Sequence, residues 1–168
     1  MTLLAIRRFP DPILTAPTRQ VFRFDSQLAR LAEQMVAVMR RQPRCVGLAA
    51  PQVGSTLRVA VMDASVHPKG AGRSHGLLVL VNPKIDAPHG AVVGREGCLS
   101  VPDLTGNVRR AERLHLRALD LRGGLCEWHL EGFEAVVAQH EVDHLDGKLF
   151  LDRVENPAVD IFRRKTYL

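Results

Sequence analysis

His140, Glu141 and His144 stand in the order His-Glu-x-x-His, inside the stretch Gln139-His140-Glu141-Val142-Asp143-His144. On a helix, positions four apart share a face, so both imidazoles can bind one metal ion. The glutamate beside them can then move the protons of a water that the ion activates. The pattern points to metal-assisted hydrolysis, and the third ligand decides what kind.

A catalytic centre of this type takes three protein ligands and keeps one position for water. After His144 the chain has no histidine, and its acids are Asp146, Asp152, Glu155 and Asp160. Asp146 is too close along the helix to swing round, and the other three carry no supporting pattern. Upstream, Glu96-Gly97-Cys98-Leu99-Ser100-Val101-Pro102 puts a cysteine in a loop after a strand-like run. A thiolate is a strong ligand for zinc or ferrous iron. A cysteine alone reads first as a small buried apolar residue. A lone histidine reads as packed and hydrogen-bonded, and His67, His75, His89, His115 and His129 are read that way. The conjunction of Cys98 with His140 and His144 reads instead as a ligand set.

The elements that must position these groups follow from periodicity and punctuation. Pro10-Asp11-Pro12 breaks regular structure near the start. A helix is expected from a cap at Asp25 or Ser26, with Leu28, Leu31, Met35 and Met39 on its apolar stripe, ending near Pro43. A loop is expected over 47–54. Strand-like runs follow at 57–62, 77–81, 91–93, 114–119 and 125–130, separated by turn residues. The last two form a hairpin across Gly123-Gly124. A second helix spans about 132–145, with Phe133, Val136, Val137, His140 and His144 on one face and Gly147 ending it. The tail, 157–165, reads as a short helix. Strands clustered between helices predict an α+β fold. Its mainly antiparallel strands pack around a central, metal-binding His-Glu-x-x-His helix, with an N-terminal helix and a short C-terminal one.

Bulk properties narrow the classes further. The chain has 168 residues, 46% hydrophobic and 24% charged, with a formal net charge of +5. That length suits one catalytic domain over 1–168. No apolar run is long enough to cross a bilayer. At the N-terminus basic residues follow the apolar ones, the reverse of a secretory leader, so a cytoplasmic protein with no membrane partner is expected. Arginines are scattered apart from Arg163-Arg164-Lys165, which argues against specific nucleic-acid recognition while leaving room for a transient ribosome contact. Three cysteines at irregular spacing, Cys45, Cys98 and Cys126, do not form a disulfide framework.

Three ordered segments carry a resemblance: Gly47-Leu48-Ala49-Ala50-Pro51-Gln52-Val53-Gly54, Glu96-Gly97-Cys98-Leu99-Ser100, and Gln139-His140-Glu141-Val142-Asp143-His144. With Pro10-Asp11-Pro12 and Leu145-Asp146-Gly147-Lys148-Leu149-Phe150, they make the chain resemble the peptide deformylases over about residues 6–153. The resemblance implies removal of the formyl group from N-formylmethionyl nascent peptides. It implies Cys98, His140 and His144 as metal ligands, and Glu141 as the proton-transferring group. Gln52 and the backbone N–H of Leu99 would donate to the oxygen on which charge collects. It also implies iron as the native metal, Fe2+, with Zn2+, Ni2+ or Co2+ as substitutes. An extended peptide would pair as an added strand near Val46 and Gly47. Phe133, Val136 and Val137 would line the methionine pocket, and the bare backbone at Gly47 and Gly97 would admit only a small acyl group. Glu96, Asp143 and Arg110 are candidates for ordering the site.

Two positions depart from the family pattern. Cys45 stands where a glycine usually opens the first motif, and Thr105 where many relatives carry an arginine near the bound peptide. Loss of that arginine is expected to weaken peptide binding. Two other classes stay in view: a His-Glu-x-x-His endopeptidase that makes no use of Cys98, and a non-catalytic protein that binds N-termini.

Overall fold

The computed structural model describes residues 4–165, so Met1, Thr2 and Leu3 of the N-terminal stretch weighed as a leader lie outside them. The architecture is α+β with antiparallel strands and few helices. Helix α1 is Ser26–Arg41. The Asp25 carboxylate starts it by accepting from the N–H groups of Gln27 (3.0 Å) and Leu28 (3.1 Å). Leu28, Ala32, Met35, Val38 and Met39 form its buried face. That face packs on two short strands, β1 (Gly47–Ala49) and β2 (Val59–Asp63).

Among the described residues, one sheet has five strands in the order β1-β2-β3-β6-β7, with β3 Leu77–His89, β6 Arg113–Leu119 and β7 Leu125–Glu131. A second sheet has three, in the order β4-β5-β8, with β4 Val92–Cys98, β5 Val101–Arg110 and β8 Ile161–Arg163. Every pairing within them is antiparallel. β1 and β4 are both edge strands, one in each sheet.

Helix α2, Gly132–Leu145, packs against β1, β2, β3, β6 and β7. It is buried on more than one side: Ala135, Val137, Ala138, Val142 and Leu145 are in the core, and so are Glu134, Glu141, Asp143 and His144. The expected apolar face is therefore incomplete, for Phe133 and Val136 are only half-buried. Gly147, at φ 75°, turns the chain out of the helix.

Several strands differ from their expected limits. β3 runs on to His89 through Asn82-Pro83, because the register shifts between Val81 and Lys84 and the proline falls in that irregularity. The Asn82 side chain pins the bend, accepting from Val21 N (2.8 Å) and donating to Val21 O (2.9 Å). Gly47–Ala49, expected as loop, is paired to β2. β4 is longer than expected, and Cys98 is its last residue rather than part of a loop. Cys98 pairs with Val101, so Leu99 and Ser100 form a two-residue turn into β5, a strand that local pattern did not suggest. The tail is not one helix. A single turn, α3 (Pro157–Asp160), leads into β8, where Ile161 and Phe162 cover the open edge of β5.

Candidate metal centre

Four segments converge where the edges of the two sheets meet α2. β4 brings Cys98, α2 brings His140, Glu141 and His144, β1 brings Gly47, and the turn after β1 brings Gln52. The ligand atoms of Cys98, His140 and His144 all lie within 4.8 Å of one another, and this is the one such group of three among the described residues. Cys98 Sγ is 3.3 Å from His144 Nε2. The two imidazoles meet edge to face, with centroids 5.0 Å apart.

The donor set fits a metal ion. His140 Nδ1 lies 2.8 Å from Glu96 Oε1, an N–H-to-carboxylate contact that turns Nε2 toward the sulfur. Burial opposes ionisation of the Cys98 thiol, but the charge and hydrogen bonds of His144 and His140 outweigh it and hold it well below its ordinary value. Burial likewise opposes protonation of His140, and its contacts to Cys98 and Glu96 reverse that. A buried thiolate held by imidazole protons is the arrangement from which a cation displaces protons. His144 Nδ1 is buried with no hydrogen-bond partner among the described residues.

Around the ligands runs a buried charge network. Arg110 donates to both Glu96 oxygens at 2.9 Å and also to Asp143. Arg153 clamps Asp143 from the other side at 2.7 and 3.0 Å. Arg110, Glu96 and Asp143 are each 5–8% exposed. Sequence reasoning proposed the first three of these and missed Arg153, which no local pattern marks.

Gln52 is 2% exposed and its amide has one orientation. Its oxygen accepts from Ala49 N (2.9 Å), so its Nε2 donates toward Cys98 Sγ (3.3 Å) and Ser100 Oγ (3.2 Å). Glu141 is 3% exposed, and its Oε2 has no partner among the described residues. Burial raises its pKa to about 7, against the downward pull of His140 and His144. Its other oxygen lies against Gly47, where a Cβ would overlap it.

The remaining expected site residues divide. Leu99 follows Cys98 at the tip of the turn. The Val46 carbonyl accepts from Asp63 N (2.8 Å) and so belongs to the β1–β2 ladder. In an antiparallel ladder the next residue, Gly47, then points its backbone groups to the open edge. The Cys45 thiol donates to the Gly47 carbonyl at 3.1 Å. Val137 is taken into the core beside Met62 and Leu80. Phe133 packs against His67 with the rings tilted by 32° and centroids 4.7 Å apart. Near Cys45 and His67 lies a cavity of about 580 Å3, lined also by Met39, Pro43 and Asp63. Of the other histidines, His75 binds the buried Glu134 (2.8 Å), and His115 stacks on His129 across β6 and β7.

Comparison with known proteins agrees with this architecture. The polypeptide deformylase family model matches residues 3–159. A peptide deformylase from Alkalilimnicola ehrlichii is 44% identical over 165 residues, covering 98% of this chain and 89% of that protein. The crystal structure of peptide deformylase from Thermotoga maritima superposes with a TM-score of 0.84 at 36% identity, covering 93% of this chain and 100% of that one. The peptide deformylase structure from Legionella pneumophila gives 0.82 at 40% identity, covering 92% and 87%.

Proposed function

The chain belongs to the peptide deformylase family, whose activity is hydrolytic removal of the N-formyl group from the formylmethionine of nascent polypeptides, and we propose that Cys98, His140 and His144 hold the metal ion for that reaction here. The observation that carries the assignment is the convergence of one thiol and two imidazoles within 4.8 Å, beside a carboxylate, Glu141, whose Oε2 has no partner among the described residues.

A divalent ion bound there supplies Lewis acidity toward a carbonyl oxygen and lowers the pKa of a water. Glu141 takes the proton of the attacking water and passes it to the leaving amine, a role that suits a carboxyl raised to about 7. Gln52 Nε2 and the Leu99 N–H donate to the formyl oxygen as negative charge collects on it. Glu96, itself gripped by Arg110, orients His140.

The peptide lies extended at the open edge of β1, pairing with Gly47, with Val46 behind it and Gly97 of β4 opposite. Phe133 and Val136 offer apolar surface to the methionine side chain, backed by Val137. A tight site beside Gly47 and Gly97 suits a formyl group and excludes acetyl, so N-acetyl peptides are turned over weakly or not at all. Fe2+ is the native ion, and Zn2+, Ni2+ or Co2+ can replace it, as a mixed sulfur and nitrogen donor set allows. The described residues hold no helix long and apolar enough to cross a membrane. We place the chain in the cytoplasm as one catalytic unit over 1–168, meeting its substrate through transient ribosome contact.

One experiment tests the assignment: formate release from formyl-Met-Ala-Ser by the wild type and by Glu141→Ala, with metal analysis of both. Formate release lost in the variant while metal content holds supports it. Retention of activity in Glu141→Ala, or metal bound equally well after Cys98→Ala, refutes it.

A further inference from the structure

On the β4–β5 hairpin beside the ligand cluster, Gly97 and Thr105 carry no charge, and a residue from outside the hairpin brings a cation there. After β8 the chain continues alongside β5, where the Arg164 N–H donates to the Asp103 carbonyl at 2.9 Å. From there the Arg164 side chain returns over the hairpin. A Cβ built on Gly97 would overlap Arg164 Nη2, would lie 3.3 Å from Arg164 Cζ, and would lie 3.4 Å from Thr105 Cγ2. Gly97 and Thr105 are cross-strand partners. The guanidinium therefore occupies the space that a side chain at Gly97 would fill, one residue from Cys98 and beside the cross-strand neighbour Thr105.

This cation is not spent on a local acid among the described residues. Among the described residues the Arg164 side chain makes no hydrogen bond and no ion pair within 4.0 Å. Asp103, on the same face of β5, makes no ion pair either, and Asp160 is engaged by Asn107 Nδ2 at 2.9 Å. Two positions before Gly97, Arg95 shares the face. Its guanidinium stacks on Phe162 at 3.6 Å, and its Nε donates to Asn107 Oδ1 at 3.0 Å. The outer face of β4 next to the site thus presents two guanidinium groups.

We propose that Arg164 is a specificity determinant: it receives an acidic side chain of the formylated peptide just downstream of the methionine. This rests on the reading above, in which the extended peptide passes between Gly47 and Gly97. In such a strand alternate side chains stand on the face where Gly97 has none, within reach of Arg164. A guanidinium binds a carboxylate in a two-pronged fashion that neither threonine nor glycine can supply.

The test uses C-terminally amidated formyl-Met-Glu-Ser, formyl-Met-Ala-Glu and their glutamine counterparts. At one of the two positions glutamate lowers KM by about fivefold relative to glutamine, as a partly exposed ion pair does, with kcat alike. The ratio shrinks as salt is raised. Arg164→Ala brings the glutamate and glutamine peptides to equal KM, and Arg164→Glu favours a lysine peptide instead. A merely structural role would shift both peptides together and leave the ratio intact. Calorimetric binding of the same peptides to the Glu141→Gln protein reads the preference without turnover. Equal affinity for glutamate and glutamine at both positions, or a preference that survives Arg164→Ala, overturns the proposal. Arg164-dependent binding in a protein that releases no formate upholds it and refutes the catalytic roles instead.

Discussion

The carboxylate of Glu141 lies against the bare Cα of Gly47, in the space where any other residue would place its Cβ. β1 and α2 can approach this closely only because that side chain is missing, and the approach sets the proposed base beside the strand edge where a peptide would pair.

Gly47→Ala therefore forces either the strand or the carboxylate aside. A displacement of about 1 Å in a reacting group can cost on the order of a hundredfold in rate. We expect kcat for formyl-Met-Ala-Ser to fall by about that factor with metal content retained. An alanine variant with wild-type kcat would mean that Glu141 is not held in place by this contact.

Burial raises Glu141 to about 7. A base must be ionised to work, so activity rises with pH through its pKa. A bound divalent cation favours the ionised form, so the ascending limb of kcat/KM falls at or below pH 7 in the loaded enzyme. Glu141→Gln removes that limb and lowers kcat by about 10²–10⁴. A limb well above 7, or one that persists in the variant, contradicts the assignment.

The Glu96–Arg110–Asp143 network predicts an acid-sensitive stability. Burial works against ionisation of Glu96, yet hydrogen bonds from His140 and Arg110 outweigh it and lower the group from 4.5 to about 2. The folded value is below the unfolded one. The stabilisation is complete above pH 4.5 and is lost as pH falls toward 2. Asp143, likewise lowered, contributes with the same sign. Arg110→Ala leaves two buried carboxylates short of a partner and should cost about 3–5 kcal/mol in urea unfolding at pH 7.

Two of the thiols should differ sharply in reactivity once metal is stripped. His144 and His140 hold Cys98 well below its ordinary value, while burial pushes Cys45 up to about 12. Iodoacetamide at pH 7 should label Cys98 before Cys45, and added Zn2+ should protect Cys98. Labelling of Cys98 that zinc does not slow would exclude it as a ligand. If ferrous iron is the native ion, prolonged aeration of the loaded enzyme should also cost activity.

The Cys45 thiol occupies the Gly47 carbonyl, an acceptor that a pairing peptide would need. Cys45→Gly frees it, and KM should fall a few-fold, by about the strength of one hydrogen bond, with kcat little changed. An unchanged or higher KM would show that the peptide does not use this carbonyl.

How much was legible beforehand depends on the range of the contacts involved. The limits of α1 and α2 followed from local signals, the Asp25 cap and the apolar period in one, Gly147 after Leu145 in the other. The four-residue spacing of His140 and His144 already placed both rings on one helical face. The strands were harder. Gly47–Ala49 is too short to show a period, and Val101–Arg110 carries proline and glycine that read as loop. Ile161–Arg163 becomes a strand only because β5 has an open edge to cover.

The residue types and their order along the chain were enough to indicate the chemistry, because a thiol, two imidazoles and a carboxylate keep their donor properties wherever they sit. Tertiary structure alone decided which of them meet. It brought Arg153 to Asp143, aimed the Gln52 amide at Cys98, set Gly47 under Glu141 and carried Arg164 back over Gly97. Each of these joins separate segments of the chain, and local periodicity reports only which face of an element is buried, not which distant side chain is buried against it.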